Sequence, residues 1–277
     1  RLEFRRDTLR DARSTTSSLW GTTSVGLLSN YGADLVLGAF LSPAVVGAYR
    51  GGARIAMTAT DLVVQPLGIL SWSRFTRIEK EGLGTQAMKR AWIENMSLAA
   101  ALLWPIACAV SLLAPMLVVT ILDETWLAAA SIVAILSVSK SIAFLSGLLE
   151  PVMITTGKGG RQLKIRSAGA ITLVVLLFAV GRYGPEHAAY SHLGASLMVG
   201  SLSLIAIARA LKIRVIEIVT TFLPGAALTA MTYAAIKLST GQRESLGMEV
   251  GLGLTITEAA LVWLALMVVF LRRRVLV

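Results

Sequence analysis

The sequence has 277 residues, 55% hydrophobic and 15% charged, with a formal net charge of +10 and a mean hydropathy of +0.72. Soluble domains carry roughly 25% charged residues, so an ordinary soluble fold is excluded. The apolar runs are continuous over ~20 residues, as a membrane-crossing helix requires, rather than short and alternating as in a β-barrel. The chain therefore reads as an all-α, polytopic membrane bundle.

The positive charge is assigned to loops on the cytoplasmic side, not to a nucleic-acid surface. Cys108 stands alone, which excludes an intrachain disulfide and a cysteine-rich metal site. The chain opens on RLEFRRDTLRDAR, without an initiator Met or a signal peptide. That opening reads as the interior of a longer protein whose N-terminal portion is missing.

Eight spans are predicted, at roughly 15–40, 48–72, 92–121, 127–154, 166–182, 190–208, 218–237 and 249–271. The longest connection is predicted at 73–91. Of the 26 Lys and Arg residues, 20 fall in alternate loops and 3 in the opposite loops, while Arg50, Arg54 and Lys140 lie within spans. This asymmetry predicts eight crossings with both ends cytoplasmic. Pro66, Pro105, Pro115 and Pro224 interrupt the spans and can kink them. The span at 218–237, which contains Pro224, is the weakest of the eight.

The first two spans carry polar stripes. Thr16, Thr23, Asn30 and Asp34 lie near one helical face, as do Arg50, Arg54, Thr58, Asp61 and Gln65. Ionisable groups inside a membrane are costly and normally face a partner or a wet cavity. With the intervening turn centred near Ala44–Val45, Asp34 falls level with Arg54, and the two can pair across the hairpin. Asn30 and Thr58 share the next level. Lys140, in the fourth span, lies close to that level, and the reading favoured here places it on the same cavity. Purely structural ion pairing is the competing reading for these residues.

The remaining polar residues carry less weight. Glu150, beside Pro151, is expected to snorkel towards the membrane surface, and Glu258 to face a neighbouring helix or the cavity. Glu94 and Asn95 are placed near an interface. His187 and His192 are read as surface residues flanking an outer loop, and the six Trp residues as interfacial or packing groups. No phosphate-binding G-x-x-x-x-G-K-[ST] loop, metal-ligand cluster or convincing Ser/His/Asp set is present, so neither an ATPase nor another enzyme is expected.

One pattern has a known counterpart. Asp34, Leu37–Gly38, a short turn, Val46–Gly47 and Tyr49 precede a helix rich in small residues. This arrangement resembles the start of the second lobe of the polysaccharide flippases of the multidrug/oligosaccharidyl-lipid/polysaccharide exporter superfamily. LLAPMLVVTILDETWLAAASIVAIL is similar to that family's next helix pair, with an acidic residue near Asp123 where the family's turn usually has Gly. TTGKGGRQLKIR is similar to its basic cytoplasmic turn.

The resemblance implies a cytoplasmic basic segment at 1–13, a six-helix transport lobe at 14–214 and an additional helix pair at 215–277, with the N-terminal lobe missing. It implies a multi-pass protein of the bacterial inner membrane, acting in surface polysaccharide (O-antigen, capsule or exopolysaccharide) biosynthesis. Its implied cargo is undecaprenyl-diphosphate-linked oligosaccharide, moved by ion-coupled alternating access. Arg54, Lys140, Arg50, Asn30 and Gln65 are the candidate substrate-binding residues, and Asp34 and Asp61 the candidate ion-coupling residues. No cofactor is expected beyond a coupling proton or sodium ion. Expected partners are the lipid bilayer, the lipid-linked sugar, the missing lobe and polysaccharide polymerase machinery. The alternatives are a drug or organic-cation antiporter, a peptidoglycan-precursor flippase and a membrane polysaccharide polymerase or glycosyltransferase.

Overall fold

The computed structural model describes residues 16, 20–21, 23–27, 31–32, 34–240 and 248–272. The basic segment 1–13 and Asn30 lie outside the described residues. The described residues between 16 and 40 are helical (α1). There follow α2 (Pro43–Lys80), α3 (Gly84–Leu112), α4 (Ala114–Ile121), a 3-10 segment (Glu124–Ala129), α5 (Ala130–Gly147) and α6 (Leu149–Thr155). The chain continues through α7 (Gly159–Val180), a 3-10 turn (Gly181–Tyr183), α8 (Pro185–Leu211), α9 (Val215–Thr240) and α10 (Met248–Arg272). Among the described residues there is no strand. Among the described residues, six stretches are long and apolar enough to cross a membrane, and α1 and α10 occupy the places of the first and last predicted spans.

Two breaks inside spans follow from proline chemistry. α3 ends at Leu112, and Pro115 sits just inside α4; α5 ends at Gly147, and Pro151 sits inside α6. Proline removes one backbone donor and crowds the carbonyl four residues earlier, which here are those of Ser111 and Gly147. Pro66, Pro105 and Pro224 stay inside continuous helices. The weakest predicted span is therefore an unbroken helix, α9.

The predicted connection at 73–91 shrinks to Glu81–Leu83. α2 continues to Lys80 because Ser71, Phe75 and Ile78 keep a helical spacing and are all buried. The turn after α4 also has a local cause. Asp123 adopts φ 110°, a backbone region that favours glycine, and its Oδ1 accepts hydrogen bonds from the Thr125 amide at 2.7 Å and the Thr125 hydroxyl at 2.5 Å. The acid thus takes a glycine-type conformation and secures it with its own side chain.

Packing reproduces the alternation seen in the loop charges. One core cluster gathers Phe75, Met88, Met153, Ile165, Leu211 and Ile213, which flank the three basic connections. A second gathers Leu37, Tyr49, Ile132, Leu177 and Ala188, from around the intervening connections. Acids near the basic end are tied to cations. Arg74 and Arg90 bind Glu94, Arg166 lies 2.6 Å from Glu150, and Lys89 lies 2.8 Å from Glu217. Glu150 is thus ion-paired as well as near an end. Asn95 donates to the Ser71 hydroxyl at 3.1 Å.

Close backbone approach holds α2 to α5. A Cβ at Gly52 would lie 3.0 Å from the Ala129 carbonyl oxygen and 3.2 Å from Ile132, so a larger residue would force the two segments apart by a few tenths of an ångström. Ile171, Val175 and Phe178 form an exposed apolar stripe along α7. Such a stripe suits contact with lipid rather than water. The chain is a multi-pass membrane protein.

Candidate functional site

The site is built on the α1–α2 hairpin. Ser42 caps α2 by accepting a hydrogen bond from the Val45 amide at 3.5 Å, and Pro43 follows at the first helical position. The turn is therefore centred on Leu41–Ser42, about three residues before the centre assumed from sequence. One helical turn separates the two registers. Asp34 consequently pairs with Arg50, and not with Arg54 as its predicted depth suggested. The Asp34 carboxylate lies 3.0 Å from Arg50 Nη2 and accepts a hydrogen bond from Arg50 Nε at 3.0 Å. Engagement of two guanidinium nitrogens restrains the hairpin in one register.

Thiol cross-linking checks this register directly. With cysteines at 34 and 50, a short bifunctional reagent is expected to close the hairpin efficiently. The 34/54 pair is expected to react more slowly, and equal rates would refute the register.

Asp34, Arg50, Arg54 and Lys140 line one cavity of about 450 Å³, together with Tyr31, Tyr49 and His192. Arg54 also borders an adjoining cavity of about 420 Å³ with Thr58, Asp61 and Gln65. The two cavities therefore share the Arg54 side of α2. Five of the six described candidate residues are contributed by the hairpin, and Lys140 arrives from α5. Among the described residues, Arg54 and Lys140 make no ion pair within 4.0 Å.

The structure also adds residues that sequence reasoning passed over. Tyr49 is almost fully buried and lies beside the His192 ring, with centroids 6.4 Å apart. His187 is exposed, as expected for a surface residue, but His192 is turned into the lobe and borders the same cavity as Lys140. Its signal was present in the sequence: Ala188, His192, Ala195 and Val199 recur at helical spacing along one face of α8. Ser139 and Ser196 are hydrogen-bonded at 2.9 Å, linking α5 to α8 beside Lys140.

Chemically, the arrangement combines cations that can meet phosphate oxygens with carboxylates that can hold a cation in reserve. Arg50 is already engaged by Asp34, whereas Arg54 and Lys140 have no contacting carboxylate among the described residues.

The comparisons with known proteins agree with this fold. Residues 1–131 match the model of a family described as polysaccharide biosynthesis protein. Among solved structures, the fold is similar to one described as lipid II flippase MurJ, inward closed conformation, with a TM-score of 0.75 and 11% identity. That match covers 92% of this chain and 53% of the other, so the chain spans about half the length of this neighbour. No curated protein matches the sequence.

These findings define the class: a helical membrane protein whose fold is similar to that of a lipid II flippase. Over residues 1–131 the chain is similar to the polysaccharide biosynthesis family, in line with the motif from Asp34 to Tyr49.

Proposed function

We propose that this chain is one lobe of a flippase, with the additional helix pair at 215–277, that moves undecaprenyl-diphosphate-linked oligosaccharide across the bacterial inner membrane for surface polysaccharide synthesis. The observation that carries the reading is the cavity in which Arg54 and Lys140, without contacting carboxylates among the described residues, sit beside the Asp34–Arg50 pair. A diphosphate is a polyanion, and guanidinium and ammonium groups in a poorly solvated cleft are its natural ligands. Gln65 and Asn30 are assigned to the glycan.

Asp34 and Asp61 are assigned to ion coupling. Protonation of Asp34 would release Arg50 to the cargo, and loss of the proton would recapture it. Coupled to rocking against a second lobe, this gives alternating access. A peptidoglycan precursor is the second cargo considered, because the structural neighbour is a lipid II flippase.

The direct test uses full-length protein in proteoliposomes loaded with labelled lipid-linked oligosaccharide. Leaflet transfer is expected, and competition with a lipid-linked peptidoglycan precursor identifies the preferred headgroup. Glycan chain growth without transfer would establish the polymerase alternative instead.

Coupling is checked separately. Neutralising Asp34 as Asp34→Asn leaves Arg50 permanently unpaired, so transfer is expected to lose most of its dependence on the driving ion gradient. An unchanged dependence removes Asp34 from that role.

A further inference from the structure

Behind Lys140 lies a further cavity of about 250 Å³, bordered by α1, α5, α7 and α8. Its polar wall is formed by Lys140, Arg166, His192, Ser146 and Ser196. Among the described residues, no carboxylate borders it. Arg166 is already neutralised by Glu150 at 2.6 Å. The remaining formal charge on the wall is that of Lys140, which makes no ion pair within 4.0 Å among the described residues.

We propose that this cavity holds a small monovalent inorganic anion of halide size, with Lys140 as its counter-charge. An ammonium in a low-dielectric interior gains strongly from a contacting anion. The hydroxyls supply further donors. The Ser146 hydroxyl oxygen accepts from Gln162 Nε2 at 3.4 Å, which leaves its own proton free to point into the cavity. When Ser139 donates to Ser196 across 2.9 Å, the Ser196 proton is likewise free. Ala143, Ala170 and Val199 belong to its apolar lining. A single net positive charge with a few hydroxyl donors and apolar surroundings matches a weakly hydrated monovalent anion. It does not match a multiply charged phosphate, and a sodium ion finds no carboxylate here among the described residues.

The proposal concerns the interior of this lobe and holds whatever cargo the central cavity carries. Full-length protein is heated in detergent while chloride or bromide replaces gluconate at constant ionic strength. A saturable rise in the unfolding temperature of roughly 2 °C or more is expected at tenfold excess over the dissociation constant. Lys140→Met and Ser196→Val should abolish that rise. Arg54→Ala, which alters only the cargo side, should retain it. A halide response that survives in Lys140→Met, disappears in Arg54→Ala or is absent from the wild-type protein overturns the proposal. Should Lys140→Met fail to fold, bromide-soaked crystals of the wild-type protein decide the matter. Anomalous density between Lys140 and Ser196 supports the site, and bromide found only elsewhere refutes it.

Discussion

Arg54→Ala or Lys140→Ala, made in the full-length protein, is expected to lower leaflet transfer of lipid-linked oligosaccharide about tenfold or more while leaving membrane insertion unchanged. A hydrogen bond to a charged group contributes about 1.5–3 kcal/mol, and about 1.4 kcal/mol corresponds to a factor of ten. Neither residue is committed to a contacting carboxylate among the described residues, so neither substitution strands a paired charge. Arg50→Ala is different, because it leaves Asp34 without its partner. Its phenotype should include altered ion dependence as well as slower transfer. Transport assays on variants quantified in the membrane separate these outcomes. Wild-type transfer by both Arg54→Ala and Lys140→Ala would remove the diphosphate-binding role.

The second large effect concerns stability. A Cβ at Gly225 would lie 2.8 Å from the backbone carbon of Ala100, 2.9 Å from its Cβ and 3.0 Å from its carbonyl oxygen. These atoms cannot rotate away, so Gly225→Val must push α9 off α3. The same contact face carries Phe222 stacked on Trp104, with centroids 5.4 Å apart, and the Lys89–Glu217 pair. Overpacking of this kind costs about 1–3 kcal/mol and occasionally more. We expect a clear fall in unfolding temperature and in the yield of monodisperse full-length protein. Gly253→Val in α10 is the control, since nothing lies within 4 Å of an added Cβ there. Equal unfolding temperatures for the two variants would contradict close α3–α9 packing.

The same contact bears on how the chain divides. The resemblance placed a boundary between 214 and 215, where α9 begins. Trp263 of α10 also donates a hydrogen bond to the Ala101 carbonyl at 3.0 Å. We propose that residues 215–277 act as a fixed buttress of the lobe, so that Gly225→Val impairs the lobe and the helix pair together.

Much of the site was legible in the primary structure because the residues involved are expensive. A charge inside an apolar run is rare and must be accommodated, so Asp34, Arg50, Arg54, Asp61 and Lys140 stood out before any contact was known. Their pairing was not legible. Counting from an assumed turn centre gave Asp34–Arg54, whereas Ser42 and Pro43 start α2 earlier and give Asp34–Arg50. The cap and the proline were in the sequence, and weighting them would have corrected the register. His192 was overlooked for another reason. Proximity to a loop suggested exposure, but its helical face points towards α5 and α7.

What the sequence determined by itself was the all-helical class and the places of the long apolar helices. Those depend on a property summed over some twenty residues, namely apolar length. Only the tertiary structure decided which charges meet, that Lys140 borders two cavities and that α9 continues through Pro224 against α3. Those outcomes depend on single contacts a few ångströms long, between helices far apart in the chain. A one-residue change in helix start or a glycine at one crossing is enough to alter them.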